Sequence, residues 1–204
     1  MSKSKNAWMQ QHVNDHYVKQ AQIDGYRSRA AFKLLELAEK ERLISAGNVV
    51  VDLGATPGSW SQVIAKKVGP RGMVVAVDVL EMEAIPGVTF ICGDFGAEHV
   101  LAQVEDALQG KPVDLVVSDM SPNLSGVAAA DQAKSMHLCE LAQEFACKRL
   151  KKNGLFLVKT FQGGGFPEFQ KSMRDSFVSV VSKKPSASRG RSSEMYLLGR
   201  GLKS

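Results

Sequence analysis

The residues from Val49 to Trp60 constrain the fold most strongly, because the chain changes character at Gly54. Val49–Leu53 is a short apolar run rich in β-branched side chains, which is typical of a strand buried on both faces of a parallel sheet. Gly54 and Gly58 then bracket a turn in which the backbone can approach a ligand closely. A helix is expected from about Gly58, and the N–H groups at its start have no partner within the helix. The stretch therefore predicts a strand, a tight turn and a helix beside a small-molecule site.

The spacing of the two glycines bears on the kind of ligand. Three residues, Ala55-Thr56-Pro57, separate them, so the G-x-G-x-x-G pattern of dinucleotide sites is absent. Pro57 also has no N–H to offer a pyrophosphate. The spacing D-x-G-x-x-x-G, which begins at Asp52, is instead similar to the first motif of S-adenosylmethionine-dependent methyltransferases. For this segment alone, a glycine-rich turn without any cofactor is the alternative, since many α/β folds use such turns.

Strand patterns alternate with helical patterns along the rest of the chain. Helices fit between most of the seven predicted strands, which indicates right-handed crossovers and a mostly parallel sheet with helices on both faces. The last two strands lack a full helix between them and are expected to form an antiparallel edge hairpin. We therefore predict a Rossmann-like α/β fold. The predicted strands are 49–53, 73–78, 88–92, 114–119, 155–161, 177–182 and 194–199, and the helices between them are 59–68, 97–108, 129–150 and 166–175.

Two further helices are predicted before the first strand. Residues 8–22 have apolar side chains at intervals of four, and Gly25 ends this helix. A second helix follows Tyr26, with Ser28 as a candidate N-cap. Lys33 lies among its apolar positions, where a lysine usually extends its amine to water. Helical periodicity alone therefore places Lys33 in solvent.

The distribution of charge indicates an acidic partner. The chain has 204 residues and a net charge of +5. Residues 1–42 carry 8 basic and 5 acidic side chains and residues 171–204 carry 8 basic and 2 acidic, whereas the middle has 10 basic and 14 acidic. Basic ends around a more acidic body suit a polyanion-binding enzyme, although ordinary solvated charge is an equally good explanation. The leading candidates for contacts with such a polyanion, including RNA, are Arg27, Arg29, Lys183, Lys184, Arg189 and Arg191.

Composition also bears on the compartment. No apolar run approaches the length of a membrane span and no secretory leader is recognisable, so a cytoplasmic protein is expected. The three cysteines (Cys92, Cys139 and Cys147) form no C-x-x-C pair and are predicted to be buried and reduced. The four histidines form no ligand cluster, and His12 and His16 are interpreted as a solvated pair, so no metal site is expected.

Polar residues end several of the predicted strands, where an open α/β sheet binds its ligand. Asp78 follows Gly58 by 20 residues, a position from which a carboxylate can accept hydrogen bonds from ribose hydroxyls. Asp94 is placed to accept from an adenine amino group. Asp119 and Lys159 end the fourth and fifth strands, and the apolar residues before Lys159 argue against a solvated surface lysine. A structural ion pair between Lys159 and Asp119 is the alternative interpretation.

Four motifs make the chain resemble the FtsJ/RrmJ family of ribose 2′-O-methyltransferases over nearly its whole length. They are Ser28-Arg29-Ala30-Ala31-Phe32-Lys33-Leu34, Ser118-Asp119-Met120-Ser121-Pro122-Asn123, Val158-Lys159-Thr160-Phe161-Gln162-Gly163, and residues 188–196 around Glu194. The resemblance implies S-adenosylmethionine as cofactor and a uridine of large-subunit ribosomal RNA as target. It implies a catalytic tetrad of Lys33, Asp119, Lys159 and Glu194, and cofactor contacts from Gly54, Gly58, Trp60, Asp78, Asp94 and Asp119. Thr56 and Ser59 depart from the family's more usual Ala and Gly.

Ribose methylation requires a base, because a hydroxyl is a poor nucleophile until its proton is lost or shared. Lys159 is the candidate base and must be uncharged when it accepts that proton. Lys33 is a like charge that would favour the uncharged form, whereas Asp119 would orient Lys159 but favour the charged form. Glu194 would hold Lys33 or the target ribose. The sequence leaves the balance between these effects open.

We expect a single methyltransferase domain over residues 1–204, with residues 1–44 as a helical RNA-facing extension and 45–204 as the cofactor-binding and catalytic core. The expected partner is ribosomal RNA within the large subunit, and the expected state is a monomer without membrane contact. Two alternatives are a tRNA ribose methyltransferase and a non-catalytic RNA-binding assembly factor. The motifs do not identify which RNA is the substrate.

Overall fold

A computed structural model describes residues 15–188 and 192–203. After the first β-strand, helices separate most of the consecutive strands, as the sequence predicts. The helices are α1 (His16–Ile23), α2 (Ala30–Glu41), α3 (Ser59–Val68), α4 (Glu98–Leu108), α5 (Ala128–Arg149) and α6 (Phe166–Ser176). The strands are β1 (Val49–Leu53), β2 (Met73–Asp78), β3 (Val88–Cys92), β4 (Val113–Ser118), β5 (Leu150–Phe161), β6 (Phe177–Lys183) and β7 (Glu194–Leu202).

The seven strands form one sheet in the order β3-β2-β1-β4-β5-β7-β6. Strands β1–β5 pair in parallel, and a helix returns the chain to the same edge after β1, β3 and β4, whereas a loop does so between β2 and β3. Strand β7 pairs antiparallel with both β5 and β6. The predicted Rossmann-like fold, with a mostly parallel sheet and an antiparallel edge hairpin, is confirmed.

Each face of the sheet buries a separate apolar layer. Val100, Val104 and Leu108 of α4 pack on one face together with residues of α5 and α6. Leu34 and Leu37 of α2 pack on the opposite face with residues of α3. The strands between these layers, such as β1, are buried on both faces, which explains their continuous apolar sequence. Helix α2 therefore contributes directly to the core that supports the sheet.

Strand β5 begins five residues earlier than predicted, at Leu150 in place of Leu155. The residues between them, 151–153, are polar and exposed, so they lack the apolar pattern from which a strand is predicted. The ladder between β4 and β5 shifts register between Val113 and Leu115, which accommodates this polar start.

Two other predictions need correction or fall outside the described residues. Cys92 is exposed, because β3 is the edge strand of the sheet and its last residue has no covering layer; only Cys139 is fully buried. The first predicted helix is described from His16 onward, and its earlier residues, including His12, lie outside the described residues. None of the helices in the described part of the chain combines the length and apolar character needed to cross a membrane.

Candidate active site

Strands β5 and β7 place two pairs of functional side chains directly opposite each other. Lys159 is paired with Tyr196, and Phe161 with Glu194. Directly opposed residues of an antiparallel ladder share a face of the sheet, so all four side chains project from the same face. The Lys159 side chain is only 8% exposed, although it carries an amine. A charged group at such a position needs polar partners.

Asp119 supplies those partners at the carboxyl end of β4. Its backbone N–H donates to the Leu53 carbonyl oxygen at 2.9 Å, which fixes the residue beside the end of β1. Lys159 Nζ donates to the Asp119 carbonyl oxygen at 2.6 Å and lies 3.2 Å from Asp119 Oδ1. The same Oδ1 accepts a hydrogen bond from the Tyr196 hydroxyl at 2.9 Å. The predicted proximity of Lys159 and Asp119 is thus observed.

Lys33 and Glu194 form a second pair, with Lys33 Nζ 2.6 Å from Glu194 Oε1. Their side chains are 14% and 13% exposed, and Ser188 Oγ also donates to Oε1 at 2.9 Å. The expectation from helical periodicity that Lys33 extends into solvent is wrong. Helix α2 packs on the sheet with Lys33 directed at the first residue of β7, a contact across 161 residues that no local pattern contains.

Tyr196 joins the two ion pairs, a role that the sequence interpretation did not assign. Its hydroxyl binds Asp119, and the amine of Lys33 lies 6.0 Å from the centre of its ring. Burial raises the pKa of the Tyr196 phenol well above 10, and the carboxylates of Asp119 and Glu194 raise it further. The phenol therefore remains a hydrogen-bond donor. Tyr196 lies two residues after Glu194 in a predicted strand, and such residues project from the same face. This spacing could have identified Tyr196 as a residue of the site.

The glycine turn after β1 is too closely packed for side chains at either glycine. A Cβ at Gly54 would lie 2.7 Å from the backbone of Met120, and Gly54 has a φ of +78°. A Cβ at Gly58, where φ is +105°, would lie 2.7 Å from both Met82 Sδ and Ile85 Cδ1. The two glycines therefore form a cradle between the segment after β4 and the loop after β2.

Asp78 and Asp94 lie at the ends of β2 and β3, as predicted. Asp78 accepts the backbone N–H of Thr56 at Oδ2 and that of Leu80 at Oδ1, each at 2.9 Å. Asp94 is exposed and accepts the Gly96 N–H at 2.9 Å. Each Asp78 oxygen retains a further lone pair, so both aspartates can accept from a ligand.

Trp60 lies apart from these carboxylates. Its indole is 2% exposed, lies 5.7 Å from the Tyr196 ring between centres, and donates from Nε1 to the Ala30 carbonyl oxygen at 2.8 Å. In this position the indole fixes the start of α2 against the sheet. Its contact with a cofactor stays a prediction.

Asp52, within β1, is a buried carboxylate to which sequence analysis gave no function. It is fully buried, its Oδ2 accepts from Ser61 Oγ at 2.6 Å, and its Oδ1 has no hydrogen-bond partner among residues 15–188 and 192–203. Burial raises the pKa of Asp52 to about 7 against the effect of Ser61, and the charges of Asp119 and Asp78 raise it further. Three carboxyl groups thus interact around the glycine turn.

This carboxyl group makes stability depend on pH. Because the pKa of Asp52 is about 7 in the folded state and 3.8 when unperturbed, the folded protein holds the proton more tightly, and stability falls as pH rises through that window. We expect the free energy of unfolding of the wild type, relative to Asp52→Asn, to fall by about 2–3 kcal/mol between pH 5 and pH 8. Urea unfolding of both proteins at the two pH values measures this. An equal difference at both pH values would contradict the assignment.

A cavity of about 280 Å³ opens beside the Lys33–Glu194 pair. It is lined by Ser28, Arg29, Ala30, Lys33, Ser192 and Glu194. Both N-terminal and C-terminal segments therefore border the candidate site. Five of the six lining residues have polar or charged side chains, which can form hydrogen bonds with a polar substrate.

Aspartates at the ends of β2, β3 and β4, a glycine turn after β1 and a Rossmann-like sheet together indicate an S-adenosylmethionine-dependent methyltransferase. Comparison with known proteins agrees with this class. Residues 26–202 match the family model described as FtsJ-like methyltransferase. The chain belongs to the FtsJ-like methyltransferase family, and its predicted enzyme class and cofactor are confirmed.

Named relatives share nearly the full length of the chain. A ribosomal RNA large subunit methyltransferase E of Chromobacterium violaceum is 59% identical over 200 residues, which are 98% of each chain. A protein of the same name from Neisseria meningitidis serogroup C is 59% identical over 199 residues, 98% of this chain and 97% of the relative.

Solved structures show the same architecture. A crystal structure from Plasmodium falciparum, described as a ribosomal RNA methyltransferase, superposes with a TM-score of 0.78 at 28% identity, covering 87% of this chain and 98% of the other. A Streptococcus mutans protein described as a methyltransferase, in complex with SAH, superposes with a TM-score of 0.53 at 14% identity, covering 82% and 95%. The second likeness concerns the fold alone.

Proposed function

We propose that this protein transfers a methyl group from S-adenosylmethionine to the ribose 2′-hydroxyl of a uridine in large-subunit (23S) ribosomal RNA. The observation that carries the proposal is the convergence of Lys159, Asp119, Lys33 and Glu194 around Tyr196 at the carboxyl edge of the sheet. Two amines beside two carboxylates can bind a hydroxyl, orient it and accept its proton. The named relatives act on the same class of RNA.

The residues around the glycine turn fit the cofactor. Gly54 and Gly58 have positive φ and are closely packed by neighbouring protein atoms, so they give the turn a compact shape that a side chain would disrupt, and the cofactor would lie beside this turn. Asp78 and Asp94 offer acceptors for ribose hydroxyls and an adenine amino group. Asp52, Asp78 and Asp119 interact electrostatically, and such a group of carboxyls favours a positively charged ligand. S-adenosylmethionine supplies a methyl group on a cationic sulfur, from which the hydroxyl oxygen takes it.

Each member of the tetrad has a separate task in this proposal. Lys159, once uncharged, accepts the hydroxyl proton at Nζ. Asp119 holds that amine with its carbonyl and carboxylate oxygens, so that the lone pair of Nζ is directed at the substrate. Lys33 and Glu194 hold the ribose at the adjoining cavity, since each can form a hydrogen bond with a hydroxyl. Orientation of this kind supplies a large part of the rate of group transfer.

The proposed RNA surface consists of residues 1–44 and the segment before β7. The structure shows that several basic side chains in these regions already have protein partners. Lys183 Nζ lies 2.5 Å from Glu41 Oε1, and Lys184 Nζ donates to the Ser192 carbonyl oxygen. Arg29 pairs with Asp15 and also donates to the Ala187 carbonyl oxygen. Arg189 and Arg191 lie outside the described residues. A side chain with one such partner retains further donors for a phosphate.

We further propose that the substrate is the assembled subunit, that the protein acts as a monomer, and that it works in the cytoplasm. The test is transfer of labelled methyl groups to large subunits purified from cells that lack the protein. Labelled 2′-O-methyluridine should appear on subunits, with less or none on naked 23S RNA. Label confined to tRNA would favour a tRNA methyltransferase, and cofactor binding without transfer to any RNA would favour an assembly factor.

The cofactor placement predicts the effect of removing Asp78. Asp78→Ala should weaken S-adenosylmethionine binding by about 1–3 kcal/mol, because a carboxylate acceptor is lost. Calorimetric titration measures the affinity, and circular dichroism shows whether the variant is folded. Asp106→Ala, which removes an exposed carboxylate of α4, is the matched control and should bind as the wild type does. Unchanged affinity in a folded Asp78→Ala protein would show that the cofactor does not bind at Asp78.

A further inference from the structure

Arg27 has an unusual position for a residue predicted to bind RNA. It lies between α1 and α2, and its guanidinium donates three hydrogen bonds to backbone carbonyl oxygens. These are Pro57 at 3.0 Å, Glu83 at 2.8 Å and Ala84 at 3.1 Å. The side chain is 21% exposed. Most of its hydrogen-bonding capacity is therefore directed into the protein.

The three carbonyls belong to two different segments. Pro57 lies in the glycine turn after β1, whereas Glu83 and Ala84 lie in the loop between β2 and β3. These segments also meet at Gly58, where an added Cβ would lie 2.7 Å from Met82 Sδ and 2.8 Å from Arg27 Nη1. They are the two walls of the proposed cofactor cleft, and the Arg27 guanidinium spans them.

Other bonds fix Arg27 in this place. Its backbone N–H donates to Gln62 Oε1 at 3.0 Å, and Gln62 Nε2 donates to the Gly25 carbonyl oxygen at 3.1 Å. Nearby, Ser28 Oγ lies 2.8 Å from Ser59 Oγ. The segment before α2 is thus bound to the first turns of α3, so the guanidinium cannot swing toward RNA without breaking several contacts.

A second contact ties the same two walls together. Thr56 Oγ1 donates to the Leu80 carbonyl oxygen at 2.9 Å. Thr56 and Ser59 are the two positions at which the turn departs from the residues more usual in the family. Both side chains hold the turn to neighbouring segments in this chain, Thr56 to the loop after β2 and Ser59 to the residue after Arg27.

We propose that Arg27 is a positioning residue for the cofactor. It holds the turn and the loop at a fixed separation and so sets the affinity for S-adenosylmethionine, without contacting RNA phosphates. The inference rests on the cofactor site assigned under the proposed function. A guanidinium suits this task because its planar array of N–H groups can reach carbonyls on both walls at once, whereas an ammonium is a compact donor.

The test measures cofactor binding and RNA binding separately in Arg27→Ala. Affinity for S-adenosylmethionine should fall about 10- to 100-fold, because two walls lose their shared partner. The Michaelis constant for the cofactor should rise by a similar factor, while kcat at saturating cofactor stays within about threefold of the wild type. The salt dependence of RNA binding should be unchanged. Arg71 is exposed and lies just before β2, at the amino ends of the parallel strands. Arg71→Ala therefore removes a guanidinium far from the cofactor site and is the matched control for net charge.

Several results would overturn this inference, and the comparison with Asp78→Ala separates them from failure of the cofactor site itself. Unchanged cofactor affinity in Arg27→Ala, with weakened binding in Asp78→Ala, rejects the positioning role of Arg27 and keeps the cofactor site. Unchanged affinity in both variants rejects both. A salt slope for RNA reduced by about one unit, with cofactor affinity intact, makes Arg27 a phosphate contact. If Arg27→Ala does not fold, Arg27→Lys is measured instead. Cofactor affinity equal to that of the wild type in Arg27→Lys rejects the positioning role of Arg27.

Discussion

Lys159→Ala should lower kcat at least about a hundredfold while S-adenosylmethionine binds nearly as well as in the wild type. The substitution removes the proposed proton acceptor. It leaves Asp119 held by Tyr196 at 2.9 Å and by the backbone bond from its own N–H to Leu53. Single-turnover methyl transfer and calorimetric titration measure the two quantities. Lys159→Met should behave in the same way, since it also removes the amine but fills more of the space.

The matched control lies on the same strand. Lys151, near the start of β5, is exposed and pairs with Asp114 at the other edge of the sheet. Lys151→Met removes the same charge and should leave both kcat and cofactor affinity unchanged. A Lys159→Ala enzyme with full activity would eliminate Lys159 as the base. Loss of cofactor binding along with activity would make Lys159 a structural partner of Asp119, the interpretation that the sequence left open.

The second large effect concerns the Lys33–Glu194 pair. Lys33→Met and Glu194→Gln should each lower kcat at least about thirtyfold, and the double variant should be little slower than the worse single variant. Non-additivity is expected because the two side chains share one bond of 2.6 Å and act on the ribose as a unit. Each single variant should also lose about 1–3 kcal/mol of stability, since one charge is left with little solvent.

Lys40 provides the comparison for that pair. It lies on α2 with Lys33 and pairs with Glu36, but its side chain is 65% exposed. Lys40→Met should change the free energy of unfolding by less than about 1 kcal/mol and leave kcat unchanged. If Lys33→Met and Glu194→Gln lose activity independently, so that their effects multiply in the double variant, the two residues act at separate steps.

The sheet could be predicted almost completely from the sequence. Strands β1, β2 and β3 have the predicted bounds, because β-branched apolar runs between glycine or polar turns are local signals. The early start of β5 was missed since Leu150 pairs with Val113 of β4, whereas the polar residues 151–153 that follow it carry no strand pattern. Cys92 is exposed because β3 lies at the edge of the sheet, and this strand order could not be predicted from the sequence.

In the candidate site, too, some contacts could be predicted from the sequence and others could not. The ends of parallel strands meet at one edge, so the proximity of Asp119 and Lys159 could be predicted from strand order. The partner of Lys33 could be named only through resemblance to a family, since 161 residues separate it from Glu194. The contacts of Arg27 were missed because charge alone indicates RNA as well as it indicates backbone carbonyls. The sequence does not show whether the Arg27 guanidinium binds phosphates or backbone carbonyls, because it does not show where the loop after β2 lies.

The position of β7 governs the order in which the chain can fold. Strand β7 follows β6 in sequence but lies between β5 and β6 in the sheet, and within the described part of the chain β6 has no other strand neighbour. The parallel strands β1–β5 can therefore pair without β6 and β7, whereas β6 can join the sheet only through β7. The contacts of β7 with Lys33 and Asp119 span 161 and 77 residues, and contacts of such long sequence separation form slowly. We expect amides of β6 and β7 to gain protection from hydrogen exchange together and after those of β1 and β4, so that Glu194 and Tyr196 reach Lys33 and Asp119 in the last step of folding.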